Sequence, residues 1–269
     1  MADIQHLRKM TGAGMMDCKN ALNESNGDFD GAMEIIRKKG QAVAAKREDR
    51  EASEGCVLAK TEGNFAAVVA LQCETDFVAK NEEFIALTQQ ILDAAIAHKP
   101  EDLEQLLAVE LPNGSVAQLI TDKIGATGEK MQLGFYEYIT APYVISYIHM
   151  GNKLATIVGF NKAEVDEHVA KDVAMQVAAM NPIAVTPGGI PAEVKEKELE
   201  IARDKAREAG KPENLLDRIA EGALQKFYKE STLLQQEYVK DTKKNIEQLL
   251  KESDKELEVT VFKRVSLNV

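Results

Sequence analysis

One pattern occurs twice in this chain, and it limits the folds open to it. Residues 55–61 and 65–74 read as strands around a turn at Glu62-Gly63-Asn64, and residues 143–149 and 154–161 do so around Met150-Gly151-Asn152-Lys153. Counted from Gly63 to Gly151, the two turns are 88 positions apart. A Gly-Asn pair between apolar runs suits a tight hairpin, because both residues tolerate positive φ. A helical stretch follows each hairpin, with Phe84, Leu87, Ile91 and Ala95 in register in the first and Val165, Val169, Val173 and Val177 in the second. This order predicts an α+β fold built on two related subdomains. The first is expected over 55–140. It continues through a helical stretch from Pro100, a Ser115-capped helix carrying Val116, Leu119, Ile120 and Ile124, and a strand through Met131, Leu133 and Phe135. The second is expected over 141–189 and 230–269, closing with a helix through Ile246, Leu249 and Leu250 and a strand through Leu257, Val259 and Val261.

Two further segments stand apart. Residues 1–40 read as a three-helix module. Asp3 is a candidate cap for the first helix, Thr11-Gly12-Ala13-Gly14 breaks it, Asp28 caps the third, and Gly40 suits the third helix's end. Residues 41–54, dense in mixed charge and without apolar periodicity, read as an exposed linker that can be partly helical, and the module is expected to pack loosely on the core. Residues 190–229 read as a projecting antiparallel helical hairpin, with Pro191 opening its first helix and Gly210-Lys211-Pro212 turning it. The first helix has too few apolar residues to be buried on all sides, so the hairpin is expected to serve association, with a second copy or with a partner.

The residue content removes several function classes. The net charge is −11, which argues against non-specific nucleic-acid binding. No apolar run reaches the ~20 residues a membrane helix needs, and Met1–His6 carries no signal or transit character. Cys18, Cys56 and Cys73 are far apart and odd in number, which fits reduced thiols in the cytoplasm and neither a disulfide framework nor a zinc site. No histidine has a second ligand at metal spacing, and no phosphate loop or nucleophile elbow occurs. The chain reads as non-catalytic and free of cofactor or metal.

Two stretches are candidates for partner binding. If Cys18, Ala21 and Leu22 face inward on the second helix, Met15 lies near the edge of that face and Met16 almost opposite. An exposed Met can be incidental, but a glycine-broken loop leads into this pair, and Met adapts well to partner surfaces. The second stretch is Cys73-Glu74-Thr75-Asp76-Phe77-Val78-Ala79, at a strand-to-helix junction. There Thr75 and Asp76 also suit a helix cap and first turn, and Phe77 also suits a staple packed on the helix start. His149 is expected inside a strand, as a packed or interface histidine in preference to a catalytic base.

Thr11-Gly12-Ala13-Gly14-Met15-Met16-Asp17-Cys18-Lys19, followed by Ala21-Leu22, resembles the N-terminal signature of bacterial elongation factor Ts. Thr75-Asp76-Phe77-Val78-Ala79 resembles the second signature of that family, and the layout agrees over essentially the whole chain. The resemblance implies a ubiquitin-associated-like N-terminal module and a guanine-nucleotide exchange activity toward elongation factor Tu. It implies that Met15 and Met16 touch a helix of the partner's GTPase domain. It implies that Asp76 and Phe77, flanked by Thr75 and Val78, insert beside the nucleotide and Mg²⁺ site, and that His149 faces the partner. Some family members continue past the last core strand into a C-terminal helical module; this sequence stops at Val269, and any contact made by that module is expected to be missing here. The rival expectation for residues 1–40 alone is an adaptor or nascent-chain chaperone, which would leave the second signature without a role.

Overall fold

Helix caps and glycine breaks divide the first segment into three helices. The computed structural model describes residues 2–267. Within it α1 (Ala2–Thr11) ends where Gly12 takes a positive φ of 68°, and α2 (Met15–Glu24) follows. Asp3 lies in the first turn of α1, inside the helix and not at its cap. Asp28 caps α3 (Phe29–Lys46) by accepting from the Gly31 N–H. Leu7, Ala13, Cys18, Ala21, Leu22 and Ala32 bury one another as a separate small core. Met1, Asn268 and Val269, assigned above to the first and last segments, lie outside the described residues.

β1 (Glu54–Glu62) and β2 (Phe65–Cys73) pair antiparallel from Glu54 opposite Cys73 to Glu62 opposite Phe65, with Gly63 at φ 59° in the turn. The helix expected next is two helices. A single turn, α4 (Asp76–Ala79), stops at Lys80, and Asn81 caps α5 (Glu82–His98) afresh by accepting from the Glu83 N–H. Asp102, not Pro100, sets the start of α6 (Leu103–Ala108). The short strands β3 (Glu110–Leu111) and β4 (Gly114–Ser115) pinch the following turn, and Ser115 caps α7 (Val116–Thr127). β5 (Met131–Thr140) then pairs with β2, giving the antiparallel order β1-β2-β5. A bulge at Gly134 shifts its alternation, so Met131, Leu133 and Tyr136 face the core and Phe135 turns outward.

α3 does not end at Gly40. It runs to Lys46, so the linker 41–54 is the partly helical one the sequence allowed, irregular only from Arg47 to Ser53. The cause is tertiary. Gly40 is buried where α3 crosses α7, with its missing side chain admitting Gly125, and Val43 and Ala44 pack on the first core. Arg37 adds a donor to the Asn113 carbonyl at 3.0 Å. The module is therefore seated on the core more firmly than a loose linker implies.

The second unit repeats the first. β6 (Tyr143–Ile148) and β7 (Leu154–Phe160) form a hairpin, and α8 (Glu167–Met180) follows under an Asp166 cap. α9 (Ala192–Glu208), directly after Pro191, and α10 (Leu216–Ser231) form the helical hairpin, which turns at Gly210 with φ 70°. A parallel bridge between Ala184 and Thr232 ties its two ends together. A small ribbon not anticipated from the sequence, β8 (Glu237–Tyr238) and β9 (Asp241–Asn245), precedes α11 (Ile246–Ser253), and β10 (Val259–Ser266) pairs with β7. The order β6-β7-β10 has the same connectivity as β1-β2-β5: a hairpin, then helix, then a third strand beside the second.

The two sheets face each other and the helices cover their outer sides. Alternate residues of β2 show this directly. Phe65, Ala67, Val69 and Leu71 pack under α5 and α7, while Ala66, Val68 and Ala70 meet Ala155 and Ile157 of β7. A strand buried on both faces has no polar side, and its sequence is accordingly an almost unbroken apolar run. On the far side, Val158 and Phe160 pack with Val173 and Val177 of α8 and Leu249 and Leu250 of α11. No described helix is long and apolar enough to cross a membrane.

Candidate functional site

The junction between β2 and α4 carries the second signature, and the end of a strand fixes where its side chains point. Thr75 is extended at φ −122° and caps α4 by accepting from the Val78 N–H at 3.4 Å. One turn of helix then sends Val78 and Ala79 inward onto the first core and Phe77 outward. The Phe77 ring is 84% exposed and packs on nothing like a staple partner, which removes the structural alternative for that residue in the free chain. Asp76 beside it receives the Lys80 ammonium at 2.7 Å, one helical turn on, and this hydrogen bond holds its carboxyl below the usual carboxylate range.

The junction is braced from below. Glu129 accepts both the Thr75 N–H and its hydroxyl, and Glu74 accepts the Lys130 N–H at 2.7 Å while facing Arg47 at 3.4 Å. Cys73 is buried under the junction, donates to the Thr75 carbonyl, and has its thiol pushed up to about 12 by burial.

The N-terminal signature places Met15 and Met16 on the surface, 55% and 63% exposed, while Cys18, Ala21 and Leu22 face inward. Asp17 pairs with Lys39 at 2.5 Å and so fastens α2 to α3. Met15 lines a groove of about 460 Å³ together with Arg8, Gly12 and Glu83. Glu83 is in the first turn of α5, so Met15 and the Phe77 turn flank the same helix start.

His149 lies just past the end of β6, exposed, in correction of its expected place inside the strand. Its Nδ1 is 3.0 Å from the Tyr147 hydroxyl. The neighbouring Met150, passed over in the sequence as part of a turn, is 89% exposed. This turn reaches the same end of the molecule as Phe77. Asn152 accepts the Val57 N–H at 2.7 Å, and Lys153 pairs with Glu54 while its charge also lowers the Asp76 carboxyl. The sequence-level signal for Met150 was a large apolar residue in a tight polar turn. Glu129 gave none, since its contact spans 54 residues.

The arrangement presents exposed apolar side chains together with charge at one end of the molecule. It offers an exposed aromatic ring and a carboxylate on a braced turn at a strand end, with Met15 on one side and a His-Met turn on the other. Among the described residues no cluster of His, Cys, Asp and Glu side chains could hold a metal ion.

A family model described as Elongation factor TS matches residues 74–268. The Elongation factor Ts of Porphyromonas gingivalis is 65% identical over 267 residues, covering 99% of this chain and 97% of the relative. That of Azobacteroides pseudotrichonymphae is 54% identical over 267 residues, with the same coverage. That of Bacteroides fragilis is 48% identical over 324 residues, covering 99% of this chain and 98% of the relative. This last span is longer than the chain itself, so the Bacteroides relative carries extra residues inside the aligned stretch.

Proposed function

The chain belongs to the elongation factor Ts family, and from that membership we propose that it is a guanine-nucleotide exchange factor for elongation factor Tu. It acts in the cytoplasm during translation elongation, by binding and without a catalysed reaction or cofactor of its own. Met15 and Met16 dock on the GTPase domain. Asp76 and Phe77 enter beside the nucleotide and Mg²⁺ site, with Thr75 and Val78 holding them in place and His149 making a further contact. The helical hairpin serves association. Ile201, Ala202, Ile219 and Ala223 line a groove of about 300 Å³ along it, rimmed by Glu198, Lys205 and Lys211. No nucleic acid or membrane contact enters this reading.

The observation that carries the proposal is the exposed Phe77 ring on a braced turn. An exchange factor must bind the GTPase better without nucleotide than with it, and the coupling is reciprocal. A group that gains energy only when the nucleotide site is distorted meets that condition. Burying a phenyl ring supplies about 2–3 kcal/mol, roughly a 30- to 150-fold effect on an equilibrium. Asp76 adds negative charge where phosphate and Mg²⁺ would sit, and so competes with the nucleotide.

The test is release of labelled GDP from elongation factor Tu, with this chain, without it, and with Phe77→Ala. Acceleration by the chain and its loss in a folded Phe77→Ala protein is the expected result. Equal release with and without the chain, or full activity in the variant, contradicts the proposal or the role given to Phe77, respectively.

A further inference from the structure

We propose that Glu129 is a positioning residue that aims the Asp76–Phe77 turn, an inference that rests on the exchange reading above. The β2–β5 ladder ends at the pair Cys73–Met131. Beyond it the chain turns away into α4, and the next two positions, Glu74 opposite Lys130 and Thr75 opposite Glu129, would be left without rungs. Two carboxylates supply them. Glu74 accepts the Lys130 N–H at 2.7 Å, and Glu129 accepts the Thr75 N–H through Oε2 at 3.1 Å and the Thr75 hydroxyl through Oε1 at 2.6 Å. Each segment thus holds the other through a side chain, and the ladder continues where backbone pairing stops.

Glu129 is the stronger hold on Thr75. The helix cap at this residue is long, 3.4 Å from the Val78 N–H to Thr75 Oγ1, whereas both Glu129 contacts lie in the ordinary range. Two bonds from one carboxylate to one residue set direction as well as position. The nearby cations are engaged elsewhere: Arg47 with Glu74, Lys153 with Glu54, Lys80 with Asp76. The Glu129 turn is itself anchored, since its own N–H donates to Thr127 Oγ1 and Gly128 ends α7 at φ 74°.

α4 is one turn long and the Phe77 ring has no support of its own, so the ring's direction is set by the backbone at Thr75 and Asp76. Holding that backbone before docking removes an ordering cost at the moment the ring must enter the partner. Met15 and Met16 lie on another element and do not depend on Glu129 for their placement. Loss of Glu129 should therefore weaken displacement of nucleotide far more than docking.

The experiment follows release of a fluorescent GDP from elongation factor Tu against concentration of the full-length chain. The set is wild type, Glu129→Ala, Glu129→Gln, Phe77→Ala and the double variant Glu129→Ala with Phe77→Ala. Glu129→Ala is expected to lower the maximal release rate about tenfold, the order set by losing hydrogen bonds to a charged group, while the half-saturating concentration moves less than about twofold. Glu129→Gln, which can accept from the Thr75 N–H and donate to its hydroxyl oxygen, should restore most of the rate. In the Phe77→Ala background Glu129→Ala should have no further effect, because no ring remains to aim. An equal loss in both backgrounds, a change confined to the half-saturating concentration, or a wild-type rate in Glu129→Ala would each overturn the assignment. Melting curves accompany every variant. Should Glu129→Ala not fold, Thr75→Val takes its place: it keeps the Thr75 N–H bond to Glu129 but loses both the hydroxyl contact and the long cap to the Val78 N–H, and the same pattern with a smaller loss is expected. A wild-type chain that fails to release GDP would sink the exchange reading itself, while an active wild type with an unaffected Glu129→Ala sinks only the role of Glu129.

Discussion

Gly40 of α3 and Gly125 of α7 meet backbone to backbone, and they do not tolerate a side chain equally. A Cβ on Gly125 would lie 2.6 Å from the Gly40 Cα, whereas one on Gly40 would approach the Thr121 carbonyl oxygen at 3.4 Å and the Gly125 Cα at 3.6 Å. Gly125→Ala must therefore push the helices apart, at a cost of about 1–3 kcal/mol. Gly40→Ala should be close to neutral, since the contact is tight but bearable and alanine is the better helix former by up to about 1 kcal/mol. Urea unfolding of the two variants checks this, and equal losses would show that the crossing is not set by Gly125.

Met16→Ala is expected to weaken binding to elongation factor Tu by about 1–3 kcal/mol if the side chain is an interface anchor. Folding stability should hardly change, because Met16 is on the opposite side of α2 from Cys18 and Leu22. Calorimetric binding and thermal melting measured together decide it. A lower melting temperature with unchanged affinity would move Met16 from the docking surface to the fold.

Replacing residues 192–227 with a short glycine link should leave both sheets folded. Ala206, Leu216 and Ala220, the buried residues of the hairpin helices, belong to none of the core clusters. The hairpin's root is held independently, by Leu233 N–H to Ala184 O at 2.9 Å and Leu234 N–H to Val185 O at 3.1 Å. Cooperative melting of the shortened chain is the expected outcome, and a broad, non-cooperative transition would assign the hairpin a structural role.

Alkaline pH should loosen the first core through its thiols. Burial raises Cys56 to about 11 and Cys73 to about 12, from an ordinary value of 9.0. A folded-state value above the unfolded one means that the unfolded chain releases these protons first. The stabilisation is then complete below pH 9 and is lost as pH climbs from there toward 12. Burial also raises Tyr136, which adds to the decline in the same direction. The check is the melting temperature from about pH 8 to about pH 11 for wild type and for Cys56→Ala with Cys73→Ala. A flatter decline in the double variant is expected, and parallel curves would remove the thiols from the account.

Much of this molecule was legible because its signals are local. The two Gly-Asn turns, the caps Asp28 and Ser115, and the apolar run of β2 each act over a few residues, and all appear where the sequence placed them. The errors share a different cause. Gly40 carries a common helix-end residue, but its role is a crossing with a glycine far along the chain. The bulge at Gly134 reversed the expected side of Phe135, and the ribbon of β8 and β9 has too little apolar pattern to announce itself. At the candidate site, helix geometry placed Met16 outward and Met15 near the edge of the buried face, whereas for Phe77 geometry equally suited a packed staple and only the resemblance pointed outward. The support beneath Phe77 was not legible, because Glu129 reaches Thr75 only after the sheet has formed.

The two sheets also differ in when they can be completed. Every strand of β1-β2-β5 lies before residue 141, so the first sheet is whole soon after its own segment leaves the ribosome. β7 ends at Phe160, but its second neighbour, β10, begins only at Val259. Until that strand arrives, the centre of the second sheet has one bare edge, the feature through which partly made chains stick to one another. A product interrupted anywhere between these points would carry a finished half joined to an adhesive one, and quality control would meet it as a single defective molecule.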